Sequence, residues 1–209
     1  MVIAIYLLIL ALTVWRAQLE VKLSTLGPVT ILAALGLVTV FVWRAGFSAA
    51  DGRLHVVILD VSEGGRSGNG ILIRTPGGRS LLIDGGPSAR RLSDGLGRRL
   101  PFTNRGLDWL VVAAPGDEQT LSLPQALERF HPANVLWAGP THGTVGARNL
   151  QAAFVQLGIS PVNAVHGQAL DLGDGAALRV LYAGESGAVL LLEWGNFRAL
   201  LPVGIDEAR

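Results

Sequence analysis

The stretch ILIRTPGGRSLLIDGG, Ile71 to Gly86, decides the fold. Two short aliphatic runs, Ile71–Thr75 and Ser80–Asp84, flank Pro76-Gly77-Gly78. Proline presets the φ of a turn and glycine supplies positive φ, so the pattern predicts a β-hairpin. Just upstream, RLHVVILDV (residues 53–61) reads as another strand, with His55 as its polar interruption. Between them, SEGGRSGNG (residues 62–70) reads as a flexible Gly-rich turn. It lacks the Gly-Lys-Ser/Thr that a phosphate-cradling loop requires.

Working downstream, residues 88–100 predict an Arg-rich helix, LDWLVVAA (107–114) a buried strand, and SLPQALERF (122–130) a helix with Pro124 in its first turn. ANVLWAG predicts a strand, and ARNLQAAFVQLG (147–158) a helix ending on Gly158 as its left-handed cap. ALRVLYAG, AVLLLEWG and FRALLPVG give three further strands separated by short turns. Strands and helices alternate in the middle and hairpins stand at both ends, so the class is α/β or α+β with a mixed sheet. No internal repeat is present.

The 209 residues suffice for one sizeable domain and a small addition. Half of the chain is hydrophobic, and the mean hydropathy is +0.43. That excess is concentrated in residues 1–47. MVIAIYLLILALTVW (1–15) and GPVTILAALGLVTVFVW (27–43) carry no charge. A spanning helix needs about 20 mainly apolar residues, with ~17 as the lower limit. The second run meets that limit, and the first meets it with its flank to Ala17. A signal peptide is the rival reading of the first run, but it lacks a basic start and a second run follows. Two transmembrane helices at about 2–17 and 27–43 are therefore expected, with 48–53 as linker and 54–209 as the globular domain. Arg16 and Lys22 against Glu20 favour a cytoplasmic loop between the runs and an extracytoplasmic domain, while Arg44 and Arg53 pull the other way. A net charge of +1 leaves no nucleic-acid footprint by itself, and the absence of cysteine excludes disulfides and thiolate metal sites.

LHVVILDV, the Gly-rich loop, ILIRTPGGRSLLIDGGP, LDWLVVAAP and LPQALERF follow one another as in a known family, and so do the later GQALDLGDGAALRVL and GAVLLLEWGNFRALL. Their order resembles the metallo-β-lactamase-like C-terminal domain of the ComEC competence proteins, over roughly Arg53 to Arg209. The resemblance implies an αββα sandwich behind a multi-pass membrane part. It also implies a role in DNA uptake and a divalent metal such as zinc or manganese, held by His nitrogens and carboxylates at strand ends. The implied partners are the membrane, single-stranded DNA and other competence proteins.

The residues depart from that pattern where the metal should sit. The family reads Thr-His-Pro-x-x-Asp-His-x-x-Gly-Leu-Pro after the strand. Aligned on Pro115 and Leu123-Pro124, this chain has Ala114 for the first His, Glu118 for the Asp and Gln119 for the second His, with Gly116 and Asp117 between. Alanine has no donor atom, and an amide is a poor transition-metal ligand. After FRALLPVG the family has Gly-Asp; here Val203-Gly204 stand there and Asp206 is displaced. The family's later His-His segment has no counterpart before Arg209, so the αββα sandwich is expected to be incomplete and a separate chain is expected to complete it. Asp84 matches a family Asp that ties the metal-bearing loops together by hydrogen bonds, although a turn-forming Asp before Gly-Gly predicts the same residue.

Of the four histidines, His55 and His131 read as ordinary strand and helix-end residues. His142 and His166 lie in loops that a rebuilt site would have to bring to Asp117 and Glu118. Arg90, Arg91, Arg98, Arg99 and Arg105 suit phosphate contacts, though such a set is more often a solvated helix face. Three readings stay open. The chain is a metal-free, catalytically dead relative with no cofactor; an active metal-dependent hydrolase or phosphodiesterase (nuclease) rebuilt around Asp117, Glu118, His142 and His166; or a non-functional fragment of a longer channel protein.

Overall fold

The computed structural model describes residues 34–41, 51–101 and 105–203. The chain divides into two units at Phe47/Ser48. In the first, residues 34–41 are helical, with Leu35, Leu37, Val38, Val40 and Phe41 exposed. Most of the expected membrane hairpin lies outside the described residues. Within them, no helix is long and apolar enough to cross a membrane.

The second unit is a mixed α/β sandwich. Its first sheet runs β1 (His55–Asp60), β2 (Asn69–Arg74), β3 (Ser80–Ile83), β4 (Leu107–Val112), β5 (Pro132–Trp137) and β6 (Val162–Asn163), side by side in that order. The expected hairpin is there, with Ile71 opposite Ile83 and Arg74 opposite Ser80. From β3 onward the pairing is parallel. Parallel neighbours need crossovers, and these are the helices α1 (Ala89–Gly97), α2 (Asp117–Thr120), α3 (Leu123–Leu127) and α4 (Val145–Leu157). The second sheet is antiparallel throughout: β7 (Ala169–Gly173), β8 (Ala176–Gly184), β9 (Gly187–Trp194) and β10 (Phe197–Leu201), with β7 and β10 at its edges.

The central strands of the first sheet, β3 and β4 above all, are buried on both faces, which is why they read as nearly continuous apolar runs, while the edge strands β1 and β6 are largely exposed. On one face Leu72, Leu82, Leu110, Val112 and Trp137 pack against Leu92 and Leu96 of α1, Leu123 and Leu127 of α3, and Leu150 and Phe154 of α4. On the other, Ile73, Leu81, Ile83, Val111 and Leu136 meet Leu170, Leu172, Leu178, Val180, Leu190 and Leu192 of the second sheet. The second unit thus forms three layers, helices, sheet and sheet. The second sheet's outer face carries the ion pairs of Glu193 with Arg179 (3.2 Å) and Arg198 (3.3 Å).

Helix ends follow local chemistry. Ser88 caps α1 by accepting from the Arg91 N–H, and Thr144 caps α4 by accepting from the Ala147 N–H at 3.1 Å. Gly158, at φ 68°, stops α4 as the sequence predicts. Four segments differ from the sequence reading. Asp117–Thr120, which the sequence reading leaves unassigned, is a helical turn. The Gly-rich segment is not a bare turn: Glu63 and Arg66 exchange backbone hydrogen bonds of 3.0 Å, and Asn69 already belongs to β2. Strands β6 and β7 add to the expected list. The first has two residues, and the second shows its alternation only in Leu170 and Leu172.

Phe154 is buried, and its ring meets Trp137 edge-on with centroids 6.3 Å apart. Phe154→Ala is expected to cost about 3–5 kcal/mol through lost burial and the cavity left behind. Chemical denaturation monitored by Trp fluorescence measures this directly.

Candidate functional site

The parallel strands β3, β4 and β5 all end at one edge of the first sheet. Open α/β sheets bind ligands outside such carboxyl ends. Three loops meet there: Asp84-Gly85-Gly86 after β3, Ala113 to Thr120 after β4, and Ala138 to Thr144 after β5.

Asp84 is the centre of this arrangement. It is 1% exposed and has a left-handed backbone, φ 53°. Its Oδ1 accepts hydrogen bonds from the N–H groups of Ala113 (2.8 Å) and Ala114 (3.4 Å). Its own N–H donates to the Val111 carbonyl at 2.9 Å. The other oxygen, Oδ2, is buried and has no hydrogen-bond partner. Burial pushes the carboxyl up to about 7, against the opposing pull of the two backbone N–H groups.

The following turn is held from the β4 side. Gly85 and Gly86 donate their N–H groups to the Gln119 carbonyl, at 2.8 and 3.2 Å, and Ser122 N–H donates to the Gly86 carbonyl. Gly86 has φ 76°, and a β-carbon there would collide with Val61. The Oγ of Ser122 is also buried without a partner.

The residues that replace the expected ligands serve the fold. Ala114 is buried, offers only a methyl group, and gives its N–H to Asp84. Gly116 stands before α2, and its carbonyl accepts from the Thr120 Oγ1 at 2.7 Å. Asp117 turns its Oδ1 to the Gly146 N–H at 2.7 Å, in the first turn of α4. A carboxylate at a helix N-terminus satisfies an open donor and complements the helix dipole. Thr144 adds to the same joint by donating its hydroxyl to the Pro115 carbonyl at 2.7 Å. Glu118 is exposed and Gln119 half-buried. Gly204 and Asp206 lie outside the described residues.

The loop histidines do not join these carboxylates. His142 is exposed, and its carbonyl accepts from the Arg148 guanidinium. His166 is exposed, with Nδ1 2.6 Å from the Leu181 carbonyl. His55 pairs with Asp51 at 2.7 Å on the surface. Among the described residues, no three His, Asp or Glu side chains gather where a metal ion would be held. Arg90, Arg91, Arg98 and Arg99 are exposed on and just after α1, while Arg105 is half-buried before β4.

What the sequence does not reveal is a cleft beside Asp84, of about 320 Å³. Ile58, Ile71, Ile83 and Val203 form its apolar wall, and Asn69, Asp84 and Gln119 its polar one. Asn69 and Gln119 are 50 positions apart in the chain, and the side-by-side pairing of β2, β3 and β4 brings them to one hollow.

No family model matches the chain, and no curated protein matches it. Solved structures do. The zinc-bound PqqB from Methylobacterium extorquens superposes with a TM-score of 0.51 at 13% identity, over 69% of this chain and 63% of that one. The fold is metallo-β-lactamase-like. A metallo-β-lactamase from Cronobacter sakazakii gives a TM-score of 0.46 at 16% identity, over 68% of this chain and 60% of that one. A flavo di-iron protein mutant from Thermotoga maritima gives 0.45 at 19% identity, over 60% and 31%. The chain spans less than two thirds of the length of each. Identities this low concern the fold alone. The metal such a fold implies does not fit the described residues, because Ala114 has no donor, Gln119 offers an amide, and Asp117 holds α4.

Two measurements follow. The unfolded Asp84 carboxyl titrates near 3.8 and the folded one near 7, so the folded chain binds more protons between those values. The resulting stability is fully present below pH 4 and is lost as pH rises through 7, on the order of 4 kcal/mol in all. Urea melts from pH 4 to 8 are expected to show this fall, and Asp84→Asn to flatten it. Separately, Asp117→Ala is expected to cost about 0.5–2 kcal/mol by removing a helix cap, read as a lower melting temperature.

Proposed function

We propose that this chain is a membrane-anchored, catalytically silent relative of the ComEC outer domain, acting in DNA uptake by binding or assembly. The observation that carries the reading is the edge after β4. There the positions where the resemblance expects His and Asp ligands hold Ala114, Glu118 and Gln119, and Asp117 caps a helix. A metal-activated water needs at least three well-placed donors.

The metallo-β-lactamase-like fold and the order of segments support kinship with that domain. The apolar runs at 1–15 and 27–43 support a multi-pass membrane anchor, with the globular unit on the extracytoplasmic side. Single-stranded DNA and other competence proteins are the partners this reading names. A separate chain that completes the sandwich is another, because β10 has β9 on one side and no described strand on the other.

The test is metal content. The full chain, purified in a non-ionic detergent, is incubated with zinc and manganese, desalted and measured by elemental mass spectrometry. Retention well below one metal per chain in a folded sample is the expected result. One tightly held metal per chain, lost in Asp117→Ala, overturns the reading in favour of a rebuilt metal-dependent hydrolase. A sample with no cooperative thermal transition favours a non-functional fragment.

A further inference from the structure

The outer face of α1 carries cations that neither the packing nor the metal-free reading uses. Arg90, Arg91, Arg98 and Arg99 are all exposed. Arg129, exposed just after α3, brings its guanidinium to the same helix at Gly97. At a rise of 1.5 Å per residue, Arg91 and Arg98 stand two turns and about 10 Å apart on one side of the helix. The Arg99 carbonyl accepts from the Arg74 guanidinium at 3.3 Å, which adds a further positive charge at this end.

Structural duties account for part of this set. Arg99 donates to the Gly95 carbonyl at 3.1 Å, and Arg129 lies 5.3 Å from the centre of the Phe130 ring. Cations are favoured at a helix C-terminus, and Arg98 and Arg99 stand at that of α1. The other end is different. Arg90 and Arg91 occupy the first turn, where the helix dipole favours acids, and that turn holds no acid. A local rule broken without return inside the fold is expected at functional surfaces. Carboxylates do not neutralise the set either. Among the described residues, ion pairs join only His55 to Asp51 and Glu193 to Arg179 and Arg198. Asp94 on α1, Glu128 next to Arg129, and Asp60, within electrostatic reach of Arg91, all stop short of ion-pair distance.

The chemistry fits phosphate, because guanidinium presents N–H forks that match phosphate oxygens. An anionic membrane offers phosphates too, but a helix lying on a membrane sets apolar side chains into it. The exposed residues of α1 are Arg90, Arg91 and Asp94, and its leucines Leu92 and Leu96 are wholly buried. A row of charges with no apolar side chain among them suits a flexible polyanion held through its backbone. We infer that this face binds the phosphate backbone of a single-stranded nucleic acid, without regard to base sequence. The inference deepens the DNA-binding role proposed above and rests on that part of the reading, not on the state of the metal site.

The probe is a fluorescein-labelled oligothymidylate, titrated with the full chain in non-ionic detergent and followed by fluorescence anisotropy at several salt concentrations. Four phosphate contacts predict that log K falls with log salt at a slope of about −3. Arg90→Glu and Arg98→Glu are each expected to weaken binding about tenfold at low salt and to make the slope shallower by about 1. Arg198→Glu, the same change of charge on the outer face of the second sheet, is expected to leave binding unchanged. Arg98→Glu opposes the helix dipole whereas Arg90→Glu complements it, so the latter decides where the former fails to fold. Binding that folded Arg90→Glu leaves intact overturns the inference, as does an equal loss in Arg198→Glu. So does displacement of the oligonucleotide by short-chain phosphatidylglycerol but not by inorganic phosphate, which marks a membrane surface instead. A folded, metal-free sample that binds no oligonucleotide overturns the inference and leaves the metal-free reading standing. One retained metal per chain, with binding still lost in Arg90→Glu, overturns the metal-free reading and leaves the inference standing.

Discussion

The arrangement of this domain depends on one buried carboxylate. Asp84 follows β3 in a left-handed conformation, which Asp tolerates better than most residues. The conformation is held by the pair of N–H groups at the end of β4, whose hydrogen bonds Oδ1 accepts. That contact fixes where β4 stops and the next loop begins. The loop in turn places the Gln119 carbonyl to receive Gly85 and Gly86. Without the first bond, neither turn has a fixed starting point, and the strand ends lose their common edge. The contact has a cost, since it holds a carboxyl away from water with one oxygen unmet.

The same edge explains why the resemblance to a metal-dependent family and the absence of a described metal cluster sit together. In a sandwich of this kind the loops after the parallel strands have two tasks. They close helices onto the sheet, and they present donors to a ligand. In this chain the first task has taken up Asp117 and Thr120 of the β4 loop and Thr144 of the β5 loop. Asp117 is directed into α4, Thr120 to the Gly116 carbonyl, and Thr144 to the Pro115 carbonyl. A side chain whose lone pairs hold a helix terminus is not free to leave for an ion. The loop is therefore well determined by its internal bonds, and its sequence can drift from a ligand pattern without loss of the fold.

How far the sequence reveals this follows from the physics of each feature. The central strands of the first sheet are legible because both their faces are buried, so they appear as apolar runs such as LVV at 110–112. The hairpin at 71–84 is legible through Pro76-Gly77-Gly78, and the end of α4 through Gly158, because these are local backbone effects. Strand β6 is not legible, since two residues make no pattern, and α2 is hidden because a single turn of four polar residues shows no apolar period. Asp84 stands out as a residue, but its orphan oxygen does not, because burial is a property of the assembled layers. The cleft is the least legible feature of all. It joins Ile58 of β1, Asn69 of β2, Gln119 of α2 and Val203 beyond β10, and no spacing rule connects them.

The two sheets are unequal, and the inequality bears on what the molecule can do. Sheet one has apolar packing on both sides; sheet two has it on one, with Leu200 at 57% and Tyr182 at 55% exposure on the other. An antiparallel sheet tolerates such an arrangement because one wet face is its normal state. An unpaired edge is less easily tolerated, since open N–H and C=O groups invite another strand. At β10, Arg198 projects beside that edge and pairs with Glu193 across the ladder, and charge of this kind discourages casual association. Yet the inner side of the same margin is apolar, with Ile58 exposed and Pro202 and Val203 beside it.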